Sequence, residues 1–172
     1  MKRIIVSCLL VWVLSLNVAA QQLKLPTVIS SGMVLQQNEN VNIWGWAKKS
    51  AKVTVKAEWM DKSVTTKADD DGKWIVSIPT PPGSYDKYTM TISDKKSTIK
   101  LEDILVGEVW LCSGQSNMAW KTELCLDLKE EMNDAVNVGK NVRLFTTGRI
   151  RSEKPEDDVP DSRWTNCTPE TV

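Results

Sequence analysis

The residues best placed to do chemistry stand in one short run, Gly114-Gln115-Ser116-Asn117, just after the apolar stretch Val109-Trp110-Leu111-Cys112. A buried strand that stops at a turn of small and polar residues can hold a hydroxyl at a sheet edge, within reach of substrate. A nucleophilic serine needs that geometry. The sequence contains no histidine, so the usual general base for such a serine is not among these residues. A lysine can replace it in principle, as in Ser–Lys hydrolases, but no lysine here has a spacing that argues for the role.

The first residues are expected to lie outside the fold. Lys2 and Arg3 precede an apolar run from Ile4 to about Leu16, and Val18-Ala19-Ala20 supplies the small residues of a cleavage site. That pattern predicts a signal peptide over 1–20, and hence an exported protein, periplasmic or extracellular. The run is too short for a comfortable membrane span, so no stable span is expected after cleavage. The remaining 152 residues would carry 20 basic against 22 acidic side chains. That balance offers no basic surface for nucleic acid. Cys112, Cys125 and Cys167 would remain, an odd number that leaves at least one thiol unpaired within the chain. Cys112, inside an apolar run, is expected to be buried as a small apolar residue. Without CxxC spacing or histidine, no metal site is expected, and nothing calls for a cofactor.

From about Leu23 to Asp103 the pattern has period two. Val41, Ile43, Gly45 and Ala47 share one strand face, while Asn42, Trp44, Trp46 and Lys48 share the other. Val53/Val55/Ala57/Trp59, Trp74/Val76/Ile78 and Tyr88/Met90/Ile92 repeat it. Turn signals at Lys48-Lys49-Ser50, Asp71-Gly72, Pro81-Pro82-Gly83 and Asp94-Lys95-Lys96 separate the runs. Short strands so spaced predict an antiparallel β-sandwich over 21–105. Trp44 and Trp46 point the same way, making them a candidate sugar platform, with burial under a neighbouring domain as the alternative. The triplet Asp69-Asp70-Asp71, ahead of Gly72, predicts a solvated hairpin tip.

At Ile104 the period changes. Ile104-Leu105-Val106 and Val109–Cys112 read as strands buried on both faces, as in parallel sheets. Leu124, Leu128, Met132, Ala135 and Val136 then form one face of an amphipathic helix, with Gly139 as its terminator. Val142-Arg143-Leu144-Phe145-Thr146 reads as the next strand, which completes a βαβ unit. Arg149 to Asp161 is polar and is expected to be a surface loop. Thr168-Pro169-Glu170 reads as a helix start. The second unit, 106–172, is thus expected to be the truncated start of an α/β domain.

The run Gly107–Met118 resembles the nucleophile motif of the sialate O-acetylesterase family, SGNH-type carbohydrate esterases whose serine lies in a Gly-Gln-Ser-Asn turn. Leu25-Pro26, Met33-Val34-Leu35-Gln36-Gln37 and Ile43-Trp44-Gly45-Trp46 resemble that family's N-terminal β domain. Val142-Arg143-Leu144-Phe145 and Trp164 through Val172 resemble later segments in the same order. The resemblance implies an SGNH hydrolase-like (flavodoxin-like) second domain that hydrolyses O-acetyl esters of sialic acids on acetylated sugars or glycans. It implies Ser116 as nucleophile, with its backbone N–H as an oxyanion-hole donor. Gln115 and Asn117 would shape the turn, and Gly114 would permit its tight path. The family's later blocks, which bring the catalytic Asp and His, have no matching position here, so the C-terminal part of the esterase domain is expected to be missing and the chain inactive alone. The alternative reading is a non-catalytic module, with the β-sandwich binding a glycan or packing against an enzyme domain.

Overall fold

The computed structural model describes residues 22–120, 122–124, 126–148 and 151–171. The expected signal peptide and Cys125 lie outside them. Seven strands form the first part: β1 (Val34–Gln36), β2 (Asn40–Trp46), β3 (Lys52–Ala57), β4 (Val64–Lys67), β5 (Lys73–Pro79), β6 (Ser84–Ser93) and β7 (Thr98–Gly107). Five of them form one sheet in the order β1-β7-β6-β3-β4, while β2 and β5 pair as a separate antiparallel ribbon. All neighbours in the large sheet run antiparallel except β1 and β7, which are parallel from Val34↔Leu105 to Gln36↔Gly107.

The period-two pattern explains why these residues make strands. Ile43, Gly45 and Ala47 are buried on or beside β2, as are Val53, Val55 and Ala57 on β3 and Trp74, Val76 and Ile78 on β5. Ribbon and sheet share one apolar core, in which Ile43, Trp74 and Ile78 meet Val53, Val55, Met90, Ile92, Leu101 and Ile104. Each large aliphatic side chain withdrawn there stabilises the fold by about 1.5–3 kcal/mol. Asp71-Gly72 does turn the chain between β4 and β5: Gly72 has φ of 79°, and one Asp69 carboxylate oxygen accepts from the N–H of Asp71 at 3.0 Å and of Lys73 at 2.8 Å. Ile104, Leu105 and Val106 are all buried, as their unbroken apolar run required, but as the end of β7 between β1 and β6. Between Leu101 and Ile104 the register with β6 slips, and Asp103 takes φ of 57° at this bulge.

The second part departs from expectation in several places. Val109–Cys112 is no strand, and Trp110 and Leu111 are 83% and 95% exposed. A run buried on both faces needs a strand on each side and cover above and below, and none of the described residues supplies them. Cys112 is therefore exposed rather than buried. The helix is present as α1 (Leu128–Val138), but only Ala135 on it is buried and Val136 faces solvent; Leu124 lies in a separate short turn before it. Gly139 ends α1 as its C-cap, as expected, and does so in right-handed conformation. Its lack of a side chain matters for another reason: a Cβ there would lie 2.0 Å from the Cys167 carbonyl oxygen.

The strand expected at Val142–Thr146 forms as β8 (Arg143–Phe145), but it pairs antiparallel with β9 (Trp164–Asn166) rather than within a βαβ unit. The directly opposed rings of Phe145 and Trp164, 5.1 Å apart, hold this pair together. Thr168–Thr171 is a single hydrogen-bonded turn. The acidic loop before β9 is not simply solvated. The N–H and hydroxyl of Thr27 donate to one Asp158 carboxylate oxygen at 2.7 and 2.9 Å, and Lys73 Nζ donates to Asp157 at 2.5 Å.

Candidate active site

The chain leaves β7 at Gly107 and is fixed at once by two glutamines. Gln36 ends β1 and Gln37 follows it, and the parallel pairing sets both beside the end of β7. Their amides donate to the two Glu108 carboxylate oxygens at 3.1 and 2.7 Å. Gln36 Oε1 accepts from the Val109 N–H at 2.9 Å, and Gln37 Oε1 accepts from the Gly83 N–H at 2.7 Å. The Gln37 and then the Gln36 hydrogen bond hold the Glu108 carboxyl below the usual glutamate range. Sequence reasoning quoted this glutamine pair without assigning it a role. Its signal would have been two adjacent amides matched to an acid across a strand pair, which only the topology brings together.

Beyond Glu108 the backbone runs extended and exposed to Gln115, whose φ and ψ are −99° and −161°, and then enters a single 3₁₀ turn over Ser116–Ala119. The Met118 N–H donates to the Gln115 carbonyl at 2.9 Å and the Trp120 N–H to the Asn117 carbonyl at 3.1 Å. These bonds define the bend at whose first residue Ser116 stands, exposed to solvent. Among the described residues, the Ser116 and Asn117 N–H groups take no backbone acceptor, as expected for the first donors of a helical turn. Among the described residues no side-chain bond caps the start of the turn, and Gln115 and Asn117 shape it through their backbone carbonyls. A Cβ at Gly114 would meet Met118 Cγ at 2.8 Å, so the exposed Met118 side chain would have to shift. The structure thus brings Gly114, Gln115, Ser116 and Asn117 into one exposed bend, and no imidazole is available to it.

A second anchor lies on the far side of α1. The Arg143 side chain is 1% exposed, and its Nη2 reaches the two Asp103 carboxylate oxygens at 3.2 and 3.3 Å while Nη1 donates to the Lys140 carbonyl at 2.7 Å. Lys87 Nζ also pairs with Asp103, at 2.8 Å. Partial burial pushes the Asp103 carboxyl up, but Lys87 and Arg143 outweigh it and hold it below its ordinary value. The bulge in β7 turns Asp103 toward these cations.

The two tryptophans of the candidate platform sit apart from this bend. Trp44 and Trp46 leave β2 on its outer face, both half-buried, opposite Ile75 and Lys73 of β5. The Lys24 ammonium lies 5.2 Å from the centre of the Trp46 ring. The same residues line an open cleft with Thr66, Asp69 and Asp157.

Comparison with known proteins follows from this geometry. The sialate O-acetylesterase of Mus musculus is 33% identical over 150 residues, which are 81% of this chain and 28% of that protein. The human sialate O-acetylesterase is 30% identical over 154 residues, 84% of this chain and 29% of that protein. Over that span the chain is a relative of the sialate O-acetylesterases. The crystal structure of a carbohydrate acetylesterase from Xanthomonas citri superposes with a TM-score of 0.77 at 27% identity, covering 87% of this chain and 33% of that one. No family model matches the chain. The chain spans less than a third of the length of these curated relatives.

Proposed function

We propose that this chain is the segment of an exported carbohydrate O-acetylesterase that carries its nucleophile, with Ser116 attacking O-acetyl esters of sialic acids on acetylated glycans. The reading is supported above all by an exposed serine at the head of a constrained turn, in a chain about 30% identical to sialate O-acetylesterases over four-fifths of its length. Attack by the Ser116 hydroxyl on the acetyl carbonyl would place negative charge on the former carbonyl oxygen. The Ser116 backbone N–H, free of a backbone acceptor among the described residues, would serve as one donor to that charge. The sugar alcohol would leave, and water would release acetate from the acyl-serine. On this reading the proton would pass to a base outside these residues, which hold no histidine. On this reading the β-rich part is a sandwich that anchors the start of an SGNH-type α/β domain.

Two measurements test this. The chain alone should hydrolyse p-nitrophenyl acetate no faster than its Ser116→Ala variant, because a serine without its base loses several orders of magnitude in rate. A Ser116-dependent, esterase-like rate would refute the missing base. Second, residues 21–172 would replace the matching segment of the Xanthomonas citri acetylesterase. The chimera should be active, and Ser116→Ala should cost it at least about 1,000-fold in kcat. An unaffected Ser116→Ala chimera would remove the nucleophile assignment.

A further inference from the structure

We propose that the cleft on the outer face of β2 and β5 binds a pyranose ring of an uncharged glycan, independently of the Ser116 turn. The cleft has a volume of about 340 Å³, and no residue of the Ser116 turn lines it. That size lies at the lower end of small-ligand sites and suits a single ring rather than a long chain.

Its walls have the two kinds of surface that a sugar presents. A pyranose has apolar C–H faces and a polar edge of hydroxyls. Trp44 and Trp46 stand two residues apart on one strand face, about 6.7 Å along it, and Ile75, 57% exposed, lies across from Trp44. Indole faces stack on apolar ring faces by dispersion and by withdrawal of both surfaces from water. The Lys24 ammonium, 5.2 Å from the centre of the Trp46 ring, already caps one side of it, which leaves the other for a sugar. The polar rim is supplied by the Thr66 hydroxyl and by Lys73 and Asp157, which offer donors and acceptors to hydroxyl groups. Lys73 and Asp157 pair at 2.5 Å and neutralise one another, so the rim favours an uncharged ring over an anionic one.

The wall behind the cleft is tightly packed. Trp74, which backs the cleft from the core side, is 3% exposed, and its buried Nε1 has no hydrogen-bond partner among the described residues. Buried N–H groups in folded proteins are nearly always paired.

The test is calorimetric titration of the full 172-residue chain with xylotetraose, with chemically O-acetylated xylotetraose and with sialyllactose. The neutral oligosaccharides are expected to bind with a dissociation constant on the order of 1 mM. Trp46→Ala and Ile75→Glu should each weaken binding at least about tenfold. Ile75 is exposed, so that variant keeps the fold, which circular dichroism checks. Ser116→Ala should bind as the parent does, so loss of the esterase reading leaves this result standing, and the reverse holds too. The proposal is overturned by absence of saturable binding up to about 10 mM, by unchanged affinity in both cleft variants, or by tighter binding of sialyllactose than of both neutral sugars.

Discussion

Asp103→Asn removes one negative charge while leaving shape and backbone almost untouched. Asn tolerates the left-handed φ of 57° that Asp103 adopts, so the variant isolates electrostatics from strain. What it breaks is a pair whose arginine is 1% exposed and whose acid is 37% exposed. Removing one partner of a fully buried pair costs about 3–5 kcal/mol, and an exposed pair is worth about 0–1. With one partner in each regime, and with Arg143 Nε already lacking a partner, the expected loss is about 2 kcal/mol. In a chain of this size that lowers the melting temperature by about 4–8 °C. The Asp103 carboxyl titrates below its ordinary range in the folded protein. Its contribution is therefore complete above the unfolded value near about pH 3.9 and is lost as pH falls through the lower folded value. Urea unfolding followed by circular dichroism at pH 7 and at pH 3 reads both effects. Parent and variant should differ by about 2 kcal/mol at pH 7 and converge toward pH 3. A difference under about 0.5 kcal/mol at pH 7, or one unchanged by acid, would refute the reasoning.

Gly139→Ala drives a Cβ to 2.0 Å from the Cys167 carbonyl oxygen, which has no flexible side chain to yield. It should destabilise the β8–β9 region by at least about 2 kcal/mol, read as faster hydrogen exchange at Cys167, and unchanged exchange would contradict the close approach. Leu111→Lys changes a side chain that is 95% exposed. It should shift the unfolding free energy of this chain by less than about 0.5 kcal/mol while raising solubility, and a large loss would show Leu111 to be packed.

Strand positions were legible where one face of a strand is buried and the other is not. Ile43, Val53, Val55, Trp74 and Ile78 declare themselves because each alternates with polar or half-exposed neighbours. The three-residue β1 and the polar β4, Val64-Thr65-Thr66-Lys67, were not legible. Their strand state comes from hydrogen bonds to β7 and β3 rather than from an apolar pattern of their own. Val109–Cys112 misled in the opposite direction. Its apolar run meets the composition of a buried strand, but strand state depends on partners that lie elsewhere in the chain, and no described strand flanks it. The Gly-Gln-Ser-Asn bend was legible because small and amide side chains mark turns locally. The Gln36–Gln37–Glu108 and Arg143–Asp103 links were not, since each joins residues some 40 to 70 positions apart, which only the parallel β1–β7 pairing and the β7 bulge bring together.

These links define what the β-rich part does for the serine. The stretch from Glu108 to Val142 buries little of its own: Trp110, Leu111, Met118, Trp120, Leu126 and Val136 are all exposed, so its middle gains little order from the hydrophobic term that fixes the sheet. Its two ends are nevertheless held on the same strand. Gln36 and Gln37 grip Glu108 just past the end of β7, and Asp103, four residues before that end, grips Arg143 at the start of β8. Trp164 Nε1 donating to the Val28 carbonyl at 2.8 Å and Thr27 donating to Asp158 tie the return of the chain to the same body. A segment pinned at both ends to one rigid strand has far fewer places to go than a free one, because closing a loop removes most of its end-to-end freedom before any internal contact forms. The Ser116 bend is therefore positioned from its flanks rather than from beneath. Substitutions at Gln36, Gln37 or Asp103 should disturb its placement more than substitutions among its own exposed apolar neighbours.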